Sequence, residues 1–230
     1  MLALGAHPDD VEGACGGTLA RLARRGLPVH VGLLTSGETG ISGESGDQTR
    51  AIRLAEARRA AQLGGLSGVH DLGEHDPRGT LIALLRTLRV NLLITHSPND
   101  YHVDHRAAAA LALDVRIAAA AAGGADQQPL ERTIDLVFMD SEQGLDFEPH
   151  VWLDIDDAIE IRRAMVRAHE SQLTLLHGQS LVELTDTLAR LRGGQRGCGY
   201  AEAFRGCGTW PAPDAGIRRL VLLLEGPGAY

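Results

Sequence analysis

The sequence predicts an α/β sandwich built around a mostly parallel sheet. Two observations carry this: short apolar runs alternate with longer stretches of helical character, and 44% of the 230 residues are hydrophobic, enough for one well-buried core. Nothing in the chain demands a second unit, so residues 1–230 read as a single domain.

Taken in order, the strands fall at Leu2 to Ala6, Val29 to Thr35, Val69 to Leu72, Leu92 to His96, Ile134 to Met139 and Val151 to Leu153. Helices are expected between them at Gly16 to Arg25, Thr49 to Leu63, Thr80 to Leu88 and Val103 to Ala122. In the second of these, Ile52, Ala55, Ala60 and Leu63 mark the side expected to be buried. From Ala158 to Gln172, the residues Ala158, Ile161, Met165, Ala168 and Gln172 recur at near-heptad spacing, which predicts a helix packed on the sheet. Leu181, Leu184, Leu188 and Leu191 predict another, stopped by Gly193 and Gly194. The last apolar run, Leu220 to Leu224, reads as an edge or tail strand.

A net charge of -8, with no lysine and no basic stripe, argues against a nucleic-acid partner. Three cysteines, Cys15, Cys198 and Cys207, suit neither a disulfide framework nor a Cys-x-x-Cys knuckle, so reduced thiols in a cytoplasmic protein are expected. The first apolar run is cut by His7 and Pro8, so it predicts neither a signal peptide nor a membrane span.

The chemistry concentrates in two clusters, each placed directly after a predicted strand. His7-Pro8-Asp9-Asp10 follows the first, and His96-Ser-Pro-Asn-Asp100-Tyr-His102-Val-Asp104-His105 follows the fourth. Ligands bind outside the carboxyl ends of parallel strands, so the two clusters can converge. His7, Asp10 and His105 then form a set that holds a divalent ion and leaves a fourth position open, the arrangement of a catalytic zinc. The same donors suit iron or cobalt. Asp9, whose side chain points away from its neighbour's, is free to act as a base, and His102 is placed to stabilise an oxyanion or protonate a leaving group. Alone, each cluster also reads blandly: the His-Pro-Asp-Asp turn as a helix cap, His102 and His105 as surface polar residues. Ser36 to Gln48 carries four glycines and almost no apolar residue, which suits either the rim of a site or a plain surface connection.

The combination Ala6-His7-Pro8-Asp9-Asp10-Val11-Glu12, Gly16-Gly17-Thr18, Arg53-Leu-Ala-Glu56-Ala57 and Asp100-Tyr-His102-Val-Asp104-His105 resembles the LmbE-like, or PIG-L-like, de-N-acetylases. The likeness continues through His169-Glu-Ser-Gln172 and Tyr200-Ala-Glu-Ala-Phe204. It implies a Rossmann-like three-layer fold, one zinc ion on His7, Asp10 and His105, Asp9 as general base, and His102 stabilising the tetrahedral intermediate. It further implies removal of an acetyl group from a small N-acetylglucosamine-type amino sugar or glycoside, such as a thiol-cofactor precursor, a chitooligosaccharide or an antibiotic intermediate. Arg53 matches an arginine that binds substrate in relatives, and Asp104 looks like a carboxylate that orients a histidine. From the residues alone, Arg53 better suits an ion pair with Glu56, and Asp76 suits either a contact to sugar hydroxyls or a plain turn. His169 and Gln172 fit a satisfied core position as well as a place in the site. A metal-binding protein of the same fold without turnover is the competing expectation, against which the spare carboxylate of Asp9 weighs. Oligomeric state is left open, a homo-oligomer included.

Overall fold

A computed structural model describes residues 1–73, 75–121, 128–174, 178–209 and 214–226. Its seven-stranded sheet runs β3-β2-β1-β4-β5-β7-β6. The strands are β1 (Leu2–Gly5), β2 (His30–Leu33), β3 (Gly68–Asp71), β4 (Leu92–Thr95), β5 (Asp135–Met139), β6 (Val151–Asp154) and β7 (Ala201–Gly206). β1 to β5 pair in parallel, while β7 runs antiparallel to both β5 and β6.

Alternate strand residues feed two cores, as a sheet covered on both faces requires. Leu2, Leu4, Leu93, Leu136 and Phe138 join one core, packed with Leu81 and Leu85 of α3 (Pro77–Thr87) and Ala108, Ala112 and Val115 of α4 (Val103–Ala118). Ala3, Leu92, Ile94, Val137 and Met139 join the other, with Leu19 and Leu22 of α1 (Asp10–Arg24) and Leu54 of α2 (Gly46–Leu63). α5 (Ile159–Arg167) and α6 (Leu181–Arg196) lie beside α1. The predicted three-layer α/β class is the one observed.

Several boundaries depart from the sequence reading, each for a physical reason. Leu220 to Leu224 is not a strand: it belongs to α7 (Ala215–Glu225), where Ile217, Leu220, Val221 and Leu224 form one buried stripe at helical spacing. β7 was hidden because polar Glu202 and Arg205 interrupt its apolar residues. α5 ends at Arg167 and a separate 3-10 turn spans Glu170–Gln172. α6 continues through Gly193 and Gly194 to Arg196 and stops at Gly197, whose φ of 89° is the left-handed cap. On α2 the exposed side carries Ile52, Ala55 and Leu63, and the buried one carries Arg53, Leu54, Glu56, Ala57, Ala60 and Ala61. The predicted end of α4 at Ala122 lies outside the described residues.

α1 begins six residues before its predicted start, so Asp10 is its first residue. The run of glycines hides it, because Gly13, Gly16 and Gly17 weaken helix propensity. Cys15, with φ of -147°, breaks the helix internally. The amides released there, Gly17 and Thr18, donate to Glu202 at 2.8 and 2.7 Å, and Arg162 donates to Gly13 O at 2.5 Å. Arg162 and Glu202 are themselves buried and 3.3 Å apart. A kink that would leave orphaned backbone groups is thus satisfied by a buried ion pair.

Candidate active site

In the order β3-β2-β1-β4-β5 the winding direction reverses between β1 and β4, the place where an open parallel sheet forms a crevice at its carboxyl edge. Both His/Asp clusters arrive there, one from the turn after β1 and one from the loop between β4 and α4.

Asp10 is the centre of the cluster. His7 Nδ1 lies 3.6 Å from its Oδ2, His105 Nε2 lies 3.3 Å from its Oδ1, and His96 Nε2 lies 3.0 Å from Oδ2. The far nitrogens of two of these rings face other carboxylates: His7 Nε2 is 3.1 Å from Asp104 Oδ2, and His105 Nδ1 is 3.0 Å from Asp100 Oδ1. A carboxylate behind each imidazole raises its basicity, and at His7 the hydrogen bond to Asp104 also fixes the ring, which is how protein histidines are prepared for a cation. Donor atoms close enough to share one ion occur in two sets, His7 with His102 and His105, and Asp10 with His96 and His105. The three residues predicted from sequence are split across these sets, joined through His105. This crowd of imidazoles around one buried carboxylate fits a divalent ion.

His96 was not singled out from the sequence. Its ring stacks on His105, with centroids 3.9 Å apart, and its Nε2 also lies 3.0 Å from the Ala6 amide. That nitrogen accepts from Ala6 when bare and donates to Asp10 when protonated. Asp100 was missed as well; both sit within the second cluster, where the eye goes to the His-x-x-His pair.

The charges follow from this packing. Burial works against an ionised Asp10, yet His96, His105 and His7 hold its carboxyl well below the usual range. Burial likewise opposes a charged His105, but Asp10 and Asp100 outweigh it and push the ring up to about 10. His7 is raised despite burial, through Asp10 and Asp104. His102, the N-cap of α4 with Nδ1 accepting from Asp104 N at 3.2 Å, is lowered by burial and by its neighbours His105 and His7.

Asp9 occupies the N-cap position of α1 but its side chain caps nothing. Its φ of 107° is a left-handed conformation that aspartate adopts only under constraint from its surroundings. Burial and the repulsion of Asp10 push its carboxyl up to about 7, against the pull of Arg53. Arg53 Nη2 donates to Asp9 Oδ2 at 3.2 Å and to Pro8 O at 2.7 Å. The ion pair with Glu56 does not form; Glu56 accepts from Ser171 N and Oγ at 2.8 and 2.7 Å. The glycine loop explains itself here, because a Cβ on Gly37 or Gly40 would collide with Arg53 Nη1.

A cavity of about 580 Å³ opens over these groups, lined further by Gly37, Gly40, Tyr101, Glu142 and Gln172. Gln172 donates to Gly40 O at 3.1 Å, so the 3-10 turn braces the glycine loop. His169 stays wholly buried behind it, with Nε2 3.5 Å from Glu12 Oε1 and neither ring nitrogen hydrogen-bonded. Asp76 is a correction: it caps α3, accepting from Gly79 N at 2.9 Å, is exposed, and does not line the cavity. A Pro at the next position makes the capping role legible in hindsight.

Residues 2–116 match the family model described as PIG-L, GlcNAc-PI de-N-acetylase. The diacetylchitobiose deacetylase of Thermococcus kodakarensis is 29% identical over 226 residues, covering 89% of this chain and 82% of that protein. Among solved structures, a conserved protein of Thermus thermophilus is 31% identical, with a TM-score of 0.77 over 92% of this chain and 94% of that one. The 4-carboxy-2-hydroxymuconate hydratase of Pseudomonas putida shares the fold at 25% identity, with a TM-score of 0.77 over 92% and 97%.

Proposed function

Since the chain belongs to the PIG-L family of GlcNAc-PI de-N-acetylases, we propose that it is a zinc-dependent amidohydrolase that converts a small N-acetylglucosamine-type amino sugar or glycoside into the free amine and acetate. The observation that carries this reading is the pair His7 and His105, each with one nitrogen turned to Asp10 and the other backed by a carboxylate. We assign His7, Asp10 and His105 as the ligands, one ion per chain, within one domain spanning residues 1–230.

When bound, a zinc ion supplies Lewis-acid polarisation of the amide carbonyl and of the attacking water. Asp9 does the proton work: water oxygen bonds to the carbonyl carbon as its proton passes to the Asp9 carboxylate, whose pKa near 7 suits both accepting and returning a proton. Arg53 holds that carboxylate in place and Pro8 O with it. His102 faces the same cavity and stabilises the negative charge that builds on the carbonyl oxygen. As the carbon–nitrogen bond breaks, the proton held by Asp9 goes to the departing nitrogen, giving amine and acetate. Asp104 and Asp100 keep the two ligand rings in register.

A binder without turnover would not need a strained, buried carboxylate held beside the ligands by an arginine. Hydration of a carbon–carbon double bond is the second reading with an observation behind it, the hydratase of like fold. No helix among the described residues is long and apolar enough to cross a membrane.

The test is release of primary amine from N-acetylglucosamine and its glycosides by zinc-loaded protein, with and without a chelator. Chelator-sensitive amine release supports the proposal; a loaded enzyme that releases none from any of them, yet hydrates an unsaturated acid, replaces it.

A further inference from the structure

Half of the polar side chains that line the cavity belong to the proposed ligand set, to Asp9 with its arginine, or to His102. Tyr101 and Glu142 do not. Tyr101 comes from the loop before α4 and is 58% exposed; Glu142 comes from the loop between β5 and β6. The Tyr101 hydroxyl donates to Glu142 Oε2 at 2.6 Å, and both residues line the cavity.

The tyrosine ring packs T-shaped with the rings of His102 and His105, with centroids 5.9 Å away in both cases and interplanar angles of 90° and 70°. Its exposure leaves ring surface open to a ligand, and an aromatic face takes the C–H side of a pyranose or cyclitol ring. Because its proton is committed to Glu142, the phenol oxygen presents acceptor lone pairs, and the carboxylate's other oxygen adds more. Side-by-side acceptors next to an apolar face are complementary to a ring rich in hydroxyl donors, and hydrogen bonds to an ionised acceptor are the stronger kind. The Glu142 carboxylate that accepts from Tyr101 disfavours an anionic group beside it.

We propose that Tyr101 and Glu142 form an outer subsite that holds a second, uncharged or cationic polyhydroxylated ring attached to the N-acetylated sugar. This rests on the deacetylase reading for its substrate, but not for its binding. The pair therefore determines specificity between a monosaccharide and its glycosides.

The experiment compares wild type with Tyr101→Ala, Tyr101→Phe and Glu142→Gln. Amine release is measured on N-acetylglucosamine and its β-1,4-linked dimer, and calorimetry follows binding of the fully deacetylated dimer. In Tyr101→Ala and Glu142→Gln, the loss of kcat/KM on the dimer is expected to exceed that on the monosaccharide by tenfold or more, in KM rather than kcat, with a matching loss of dimer binding. Tyr101→Phe, which keeps the ring face, should fall between. Equal losses on the two substrates, no loss on either, or a wild type that does not bind the dimer would overturn the subsite. A wild type that binds the dimer tightly but cleaves neither substrate refutes the deacetylase reading alone, and the subsite then stands or falls on the variants' binding.

Discussion

Asp104 Oδ2 stands 3.1 Å from His7 Nε2, although 97 residues separate the two in the chain. The contact turns the other nitrogen, Nδ1, toward Asp10. Asp104→Asn keeps the shape of the side chain but removes the charge behind the imidazole. Metal affinity is expected to fall by about 10- to 100-fold, measured by competition with a chromophoric chelator. An unchanged affinity would remove His7 from the ligand set.

Asp9 and Asp10 are adjacent yet differ in their surroundings, since Asp10 is wrapped by three imidazoles and Asp9 by one guanidinium. Asp9→Ala should therefore retain metal within a few-fold while turnover falls by about 10²- to 10⁴-fold, the range for a lost general base. His105→Ala should lose both. Metal content by elemental analysis alongside amine release separates the two outcomes; equal metal loss in both variants would reassign Asp9 as a ligand.

The sheet and the convergence of the two clusters were legible because parallel strands advertise themselves as apolar runs and place their following turns on one edge. Whatever depended on a partner distant in sequence was not legible. Glu202 lies 185 residues from the Gly17 amide it satisfies, so nothing local signals that α1 starts at Asp10 and kinks at Cys15. Arg53 reads as a surface residue of α2 until Pro8 and Asp9 are seen beneath it, and the burial of its own helix face was misjudged for the same reason. Within the site, the His-Pro-Asp-Asp and His-x-Asp-His spacings marked the two turns that the fold brings together. The stacked His96 and the Tyr101–Glu142 pair emerged only from the three-dimensional arrangement.

Gly40 is the position where the glycine loop can be tested without backbone strain, because its φ lies outside the left-handed range. A methyl group there would fall 2.5 Å from Arg53 Nη1 and 3.1 Å from Gly37 O. In Gly40→Ala the flexible guanidinium yields first, and Asp9 loses the contact that holds it. Turnover should drop tenfold or more while the melting temperature falls by only a few degrees, as about 1 kcal/mol implies for a chain of this size. A large thermal loss with normal turnover would make the loop a structural element only.

Glu202 tests the kink. It accepts from Gly17 N and Thr18 N and pairs with the buried Arg162. Removing its charge leaves the buried Arg162 with Asp186, 3.4 Å away, as its remaining carboxylate, so the loss should fall below the ~3–5 kcal/mol of a fully broken buried pair. Glu202→Gln should show that loss in chemical denaturation, whereas removing an exposed pair, such as Arg78 with Asp114, should leave the denaturation midpoint nearly unchanged. Comparable small losses in both would mean that α1 holds its bend without the carboxylate.

His30 Nδ1 and His70 Nε2 lie 3.1 Å apart on neighbouring strands β2 and β3. Burial lowers both below the ordinary histidine value of 6.5, and His30 is lowered further by His70 and by the terminal ammonium. A folded-state pKa below the unfolded one means that the unfolded chain binds these protons more readily. The pair's contribution is therefore whole above pH 6.5 and is lost as the pH falls through the lowered folded values. In His70→Gln that proton-linked loss is reduced, since the second imidazole no longer opposes protonation of the first. Urea unfolding of both proteins from pH 7.5 to 5 should give a wild-type advantage that shrinks on acidification. Parallel stability curves over that window would show that the two rings titrate as they do in the unfolded chain.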